Sequence, residues 1–148
     1  MTAELHADRW LDAALDDLRH ARHAEEGGFR SHACFSSQQA AEKAVKAVHY
    51  ARGARAVLGH SVRNLIERLD PRIPELDELL DDARELDLYQ HPHTVSQWIG
   101  GVDPGGGFRG AAGGEGDCRG VGDRDGGAAG RSGWLTGVRD LLACVLRM

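Results

Sequence analysis

Glycine placement constrains this chain more than any other feature: of its 20 glycines, only Gly27, Gly28, Gly53 and Gly59 precede residue 100. Each of those four stands near an apparent helix boundary. The rest crowd the last third, where 100–133 holds little besides Gly, Ala, Arg and Asp. Glycine loses the most backbone entropy on ordering and offers no apolar side chain in return, so this stretch predicts no core and reads as disordered. The composition changes at Tyr89. Two parts follow: a helical domain over 1–89 and an irregular Gly-rich tail over 90–148.

In the first part apolar residues recur at helical spacing. Leu11, Leu15 and Leu18, with Ala14 and Ala21 beside them, predict a first helix from Asp8 to Ala24 that ends at Glu25-Glu26-Gly27-Gly28. A second helix from Ser31 to Arg52 carries Ala33, Ser37, Ala40, Ala44, Ala47 and Ala51 at alternating four- and three-residue steps. Cys34, Ala41, Val45 and Val48 run next to that small-residue stripe. Two adjoining faces can therefore be covered, one by a closely approaching backbone, which makes this helix the central one. Ser61 can cap a third helix with Val62, Leu65, Ile66 and Leu69, stopped by Asp70-Pro71. Pro74 suits the first turn of a fourth, with Leu76, Leu79, Leu80, Ala83 and Leu86 inward. Nothing reads as a strand, and the fold class is an all-α antiparallel bundle of four helices in 8–89. A short apolar helix over Trp134–Leu146 fits the pattern of the tail's end.

Composition excludes several functions. Lys and Arg total 18 against 23 Asp and Glu, so the net charge of -5 gives no global attraction to nucleic acid, and any RNA contact must be local. No segment is long and apolar enough to span a bilayer, and Met1-Thr2-Ala3-Glu4-Leu5 lacks the start of a signal peptide, which predicts a cytoplasmic protein without a membrane partner. Cys34, Cys118 and Cys144 lack CxxC spacing, so neither a disulfide framework nor a cysteine metal site is expected. His20 with His23, and His91 with His93, have no third ligand at convincing spacing and read as surface histidines. No cofactor is expected, because Gly105-Gly106-Gly107 follows no strand and precedes no Gly-Lys-Ser/Thr.

Gln39, Glu42, Lys43 and Lys46 share one side of the second helix, and Lys43 and Lys46 are the only lysines. They are candidates for holding a phosphate or an RNA backbone through charge-assisted hydrogen bonds. The alternative is a solvated helix face with an i,i+4 pair from Glu42 to Lys46.

The second helix contains Cys34-Phe35-Ser36-Ser37-Gln38-Gln39-Ala40-Ala41-Glu42-Lys43-Ala44-Val45-Lys46-Ala47, and this string resembles the signature of the HEPN family. Trp10, Ala14 and Leu18 resemble that family's first-helix pattern. His60-Ser61-Val62 with Leu65 resembles its third-helix start, and Leu86-Asp87-Leu88-Tyr89 its fourth-helix end. The resemblance covers about residues 5 to 89 and implies a nucleotide- and RNA-associated binding module that accompanies a small nucleotidyltransferase from a neighbouring gene, in a toxin-antitoxin-like pair, and that dimerises. It also implies an Arg-Tyr-Pro segment and a fifth helix after the Tyr. Neither follows here. Instead His91-Pro92-His93-Thr94-Val95-Ser96-Gln97-Trp98-Ile99-Gly100 stands in that place, and codons able to encode it, read one nucleotide later, can spell Ile-Pro-Thr-Arg-Tyr-Pro-Asn-Gly-Leu. A frameshift after Tyr89 would leave the domain incomplete, its fifth helix missing or out of frame, and the tail without a selected role. A non-functional product is then one alternative.

Another is a metal-independent RNase toxin, since nucleases of this family use an Arg and a His four to six residues apart late in the domain. Arg55 and His60 have that spacing but fall between the second and third helices, so they are weak catalytic candidates and an enzyme is the less favoured reading. A His beginning a helix more often bonds locally.

Overall fold

The computed structural model describes residues 2–90 and 131–147, and within them the chain is helical with no strand. Helix α1, Ala3–Glu26, begins five residues before the expected Asp8, because Thr2 caps it: the Thr2 hydroxyl accepts from the Leu5 N–H at 3.3 Å. The chain reverses through Gly27 and Gly28. Gly28 takes φ +76°, a left-handed conformation that costs glycine nothing, and the Phe29 N–H reaches the Ala24 carbonyl at 2.7 Å.

Helix α2, Arg30–Ala51, then runs back along α1. Cross-contacts fix the antiparallel register: His20 Nδ1 meets the Ser36 hydroxyl at 2.7 Å, Lys43 Nζ meets Asp17 at 2.5 Å, and the Tyr50 ring stacks on both His6 and Trp10 at 4.2 and 5.5 Å between centroids. Ala33, Ser37, Ala40, Ala44 and Ala47 are buried as the stripe predicts, while its last member, Ala51, is exposed at the helix end. Ala41, Val45 and Val48 bury the adjoining face. With small residues on one side and branched ones on the other, α2 packs against α1, α3 and α5 at once and is the central helix.

Helix α3, Val62–Glu67, is doubly capped. Ser61 Oγ accepts from the Asn64 N–H at 3.1 Å, and the Asp87 carboxylate accepts from the Ser61 hydroxyl and the N–H groups of Val62 and Arg63 at 2.6, 2.6 and 3.2 Å. His49 of α2 ties to the other end of α3, its Nε2 donating to the Leu65 carbonyl at 2.8 Å. The single fourth helix expected from Pro74 onward is two: α4, Pro74–Asp77, and α5, Leu80–Leu86, followed by a 3-10 turn over Asp87–Tyr89. Glu78 and Leu79 are both good helix formers, and nothing in their chemistry explains the break.

The larger correction lies beyond Tyr89. Arg131–Arg147 is a helix, α6, that packs on α2 and also touches α1 and α5. Its Val138, Leu141, Leu142, Cys144 and Val145 are buried with the core residues of the other helices. The helix read over Trp134–Leu146 is thus a core element, and the described residues close into a bundle that the sequence reading left without its last helix. Arg131, Ser132 and Gly133, read as disordered, begin α6; residues 91–130, on which the remainder of that reading falls, lie outside the described residues. The Cys144 sulfur accepts from Arg22 Nη2 of α1 at 2.9 Å.

Candidate functional site

Burial separates the helix-two candidates from their sequence reading. Glu42 and Lys46 are not on a solvated face: their side chains are 5% and 7% exposed, and Lys46 Nζ donates to Glu42 Oε1 at 2.7 Å. The i,i+4 geometry makes the pair. Trp10 of α1 seals it, with Lys46 Nζ 5.4 Å from the centre of the indole ring. Lys43, half-buried, is paired with Asp17, and Gln39 Nε2 donates to Gln38 Oε1 at 2.8 Å.

Removing two charges from water costs several kcal/mol per ion, and the pair's attraction does not guarantee a net gain. The geometry shows what the network does. Glu42 Oε1 lies 3.2 Å from His60 Nδ1, although 74% of the His60 side chain is exposed. One turn earlier on α2, the fully buried Gln38 donates from Nε2 to the His60 carbonyl at 2.9 Å. Two buried polar side chains therefore hold one exposed residue, Gln38 its backbone and Glu42 its ring. With Nδ1–H donating to the carboxylate, the ring nitrogen left for other partners is Nε2. Glu42 Oε2 is buried with no donor among the described residues, a further cost of placing the carboxylate there.

Arg55 and His60 lie in the loop between α2 and α3, as the sequence placed them, and both are exposed. Loop geometry brings His60, but not Arg55, into the α2 network. Gln38 and Trp10 escaped the sequence reading as site residues. Gln38 stands four residues before Glu42, a spacing that puts both on one face, and that was the available signal. Trp10 gave none, because its role depends on α1 meeting α2.

The remaining titratable groups with perturbed behaviour are structural. Burial, with a smaller contribution from Glu25, pushes the Cys34 thiol up. Burial also raises Tyr89, helped by Cys34 and Glu85. Among the described residues no three His, Cys, Asp or Glu side chains gather as metal ligands, and no helix is long and apolar enough to cross a membrane.

Buried polar groups on the central helix of an all-helical bundle thus hold a surface histidine. The chain belongs to the HEPN domain family, a family of generally nucleotide- and RNA-related modules, and the family's model matches residues 7–94. Among solved structures it is similar to TT1696 from Thermus thermophilus, with 24% identity, a TM-score of 0.55, and 94% of each chain covered. That likeness concerns the fold. No curated protein matches the chain.

Proposed function

We propose that this chain is a nucleotide- or RNA-binding module and acts as the accessory partner of a small nucleotidyltransferase, working as a homodimer in the cytoplasm and without a cofactor. One observation carries the binding reading: Gln38 and Glu42, both buried, are used on the one exposed His60. A fold under selection for stability alone gains little from a buried carboxylate with an unmet oxygen, whereas a ligand-contacting histidine benefits from a fixed ring. Family membership adds the ligand class, and the nucleotidyltransferase enters through the resemblance of the second-helix string.

A second reading has one specific observation in its favour. A carboxylate on Nδ1 is the arrangement that orients an imidazole as a general base, so His60 fits a metal-independent RNase as well. Titration of the protein with labelled single-stranded RNA and with mononucleotides, followed by electrophoresis of the recovered RNA, separates the two. Saturable binding with intact RNA supports the module. Cleavage that His60→Gln abolishes supports the nuclease, and neither binding nor cleavage removes both. Co-expression with the product of the adjacent gene, where that gene encodes a nucleotidyltransferase, should yield a complex that survives gel filtration.

A further inference from the structure

From Lys43 to Ile66 the sequence contains no Asp or Glu, yet it holds Lys43, Lys46, Arg52, Arg55 and Arg63 as well as His49 and His60. In a chain of net charge -5 this is a local reversal of sign, and it coincides with the end of α2, the loop that follows and the start of α3. Carboxylates from elsewhere neutralise part of it: Asp17 takes Lys43, Glu42 takes Lys46, and Glu67 takes Arg63 at 3.0 Å. Asp87 also reaches the segment, where it accepts the three hydrogen bonds that cap α3.

In and beside this segment, the exposed guanidiniums of Arg52, Arg55 and Arg68 have no carboxylate partner among the described residues. Arg52 Nη1 donates to the Pro71 carbonyl at 2.5 Å and Arg68 Nη2 to the Leu58 carbonyl at 2.7 Å, contacts that fix position without cancelling charge. Arg55 makes no hydrogen bond or ion pair at all among them. Arg52 and Arg68 also converge on the same neighbour, since both act against protonation of His49.

The loop carrying these groups is pinned rather than loose. Val57 is buried, Arg68 holds the Leu58 carbonyl, and Gly59 at φ +103° turns the backbone so that Gln38 and Glu42 can take His60. Exposed between these anchors are the Arg55 side chain, the His60 ring and Leu58, an apolar side chain 77% open to solvent. Cations set around a flat ring and an apolar side chain match a strand whose phosphates are negative and whose bases are unstacked.

We propose that the α2–α3 connection is the surface that holds the phosphodiester backbone of single-stranded RNA, with Arg52, Arg55 and Arg68 facing phosphates and the His60 ring and Leu58 meeting bases. The inference rests on the RNA-binding reading above and moves the contact from Lys43 and Lys46, which are paired, to the loop.

Fluorescence anisotropy with a short labelled single-stranded RNA at several salt concentrations tests it on the full chain. Arg55→Gln should weaken binding about fivefold at low salt and reduce the magnitude of the log–log salt slope by about 0.7, the contribution of one phosphate contact in a single strand. His60→Gln should also weaken binding. Arg84→Gln, the same charge change on α5, should leave both quantities as they are. Equal effects of Arg55→Gln and Arg84→Gln would reduce the site to net charge and overturn the proposal. So would a mononucleotide binding as tightly as the oligonucleotide, or polyglutamate competing as well as unlabelled RNA. Absence of any RNA or nucleotide binding by the parent protein refutes the functional reading itself, whereas parent binding unaltered by Arg55→Gln and His60→Gln refutes only this surface. Thermal melts confirm that the comparison is between folded proteins: Arg55→Gln should match the parent, and His60→Gln, which gives up a hydrogen bond to the buried Glu42 carboxylate, should melt somewhat lower but still cooperatively.

Discussion

Burial changes the meaning of Lys46 more than that of any other residue. The sequence shows Lys46 four residues after Glu42, and that spacing makes the ion pair legible; that the pair is sealed under Trp10 depends on a neighbouring helix and is not. Removing one partner strands the other charge in a dry site. Lys46→Ala should therefore cost about 3 to 5 kcal/mol, while Glu42→Met combined with Lys46→Met should come close to the parent. Urea denaturation measures both, and a Lys46→Ala protein as stable as the parent would mean that the pair is solvated. His49 gives a second prediction, in pH. Burial, the largest influence, lowers its pKa, and Arg68 and Arg52 lower it further against the raising effect of its bond to Leu65. A folded-state pKa below the unfolded value of about 6.5 means that the unfolded chain takes up its proton first as pH falls. The stability associated with neutral His49 is thus complete above about pH 6.5 and declines as pH drops toward the folded-state pKa. His49→Gln, which keeps a donor for the Leu65 carbonyl, should flatten that part of the stability profile. An unchanged profile would remove His49 as its source.

Among the elements, legibility follows the length of the apolar pattern. Helices α1 and α2 were readable over most of their length because their stripes run through several turns, and the start of α1 was missed because Thr2 and Leu5 lie outside the stripe. Ser61 announced α3 correctly, since its hydroxyl does accept from the Asn64 N–H, although the helix stops at Glu67 rather than at Leu69. Helix α6 was the hardest to value. Its sequence permits a helix, but whether Leu141 and Val145 reach the core depends on where the intervening chain leads, which no local pattern contains. Leu141 is fully buried there. Leu141→Ala should accordingly destabilise the protein by about 2 to 5 kcal/mol, the usual range for a leucine deleted from a packed core. A denaturation midpoint equal to the parent's would detach α6 from the bundle.

Two parts meet in the whole molecule: a family domain matched over 7–94, and a tail whose last helix, α6, is buried with the core of the others. If the frame did shift after Tyr89, deleting one nucleotide there should give a protein that melts higher and runs as a single dimeric species in light scattering. Equal melting and homogeneity would make the present tail, with α6 in the core, the native one. The proposed site is indifferent to that outcome, because Gln38, Glu42, Arg55 and His60 all precede Tyr89. That makes its location the most direct test of the account. Amide hydrogen exchange with and without single-stranded RNA should show protection concentrated in the loop between α2 and α3 and in the first turn of α3, with α6 unaffected. Protection along α6 or the exposed side of α1, with the loop unchanged, would contradict the claim that the buried network of α2 exists to present His60 to RNA.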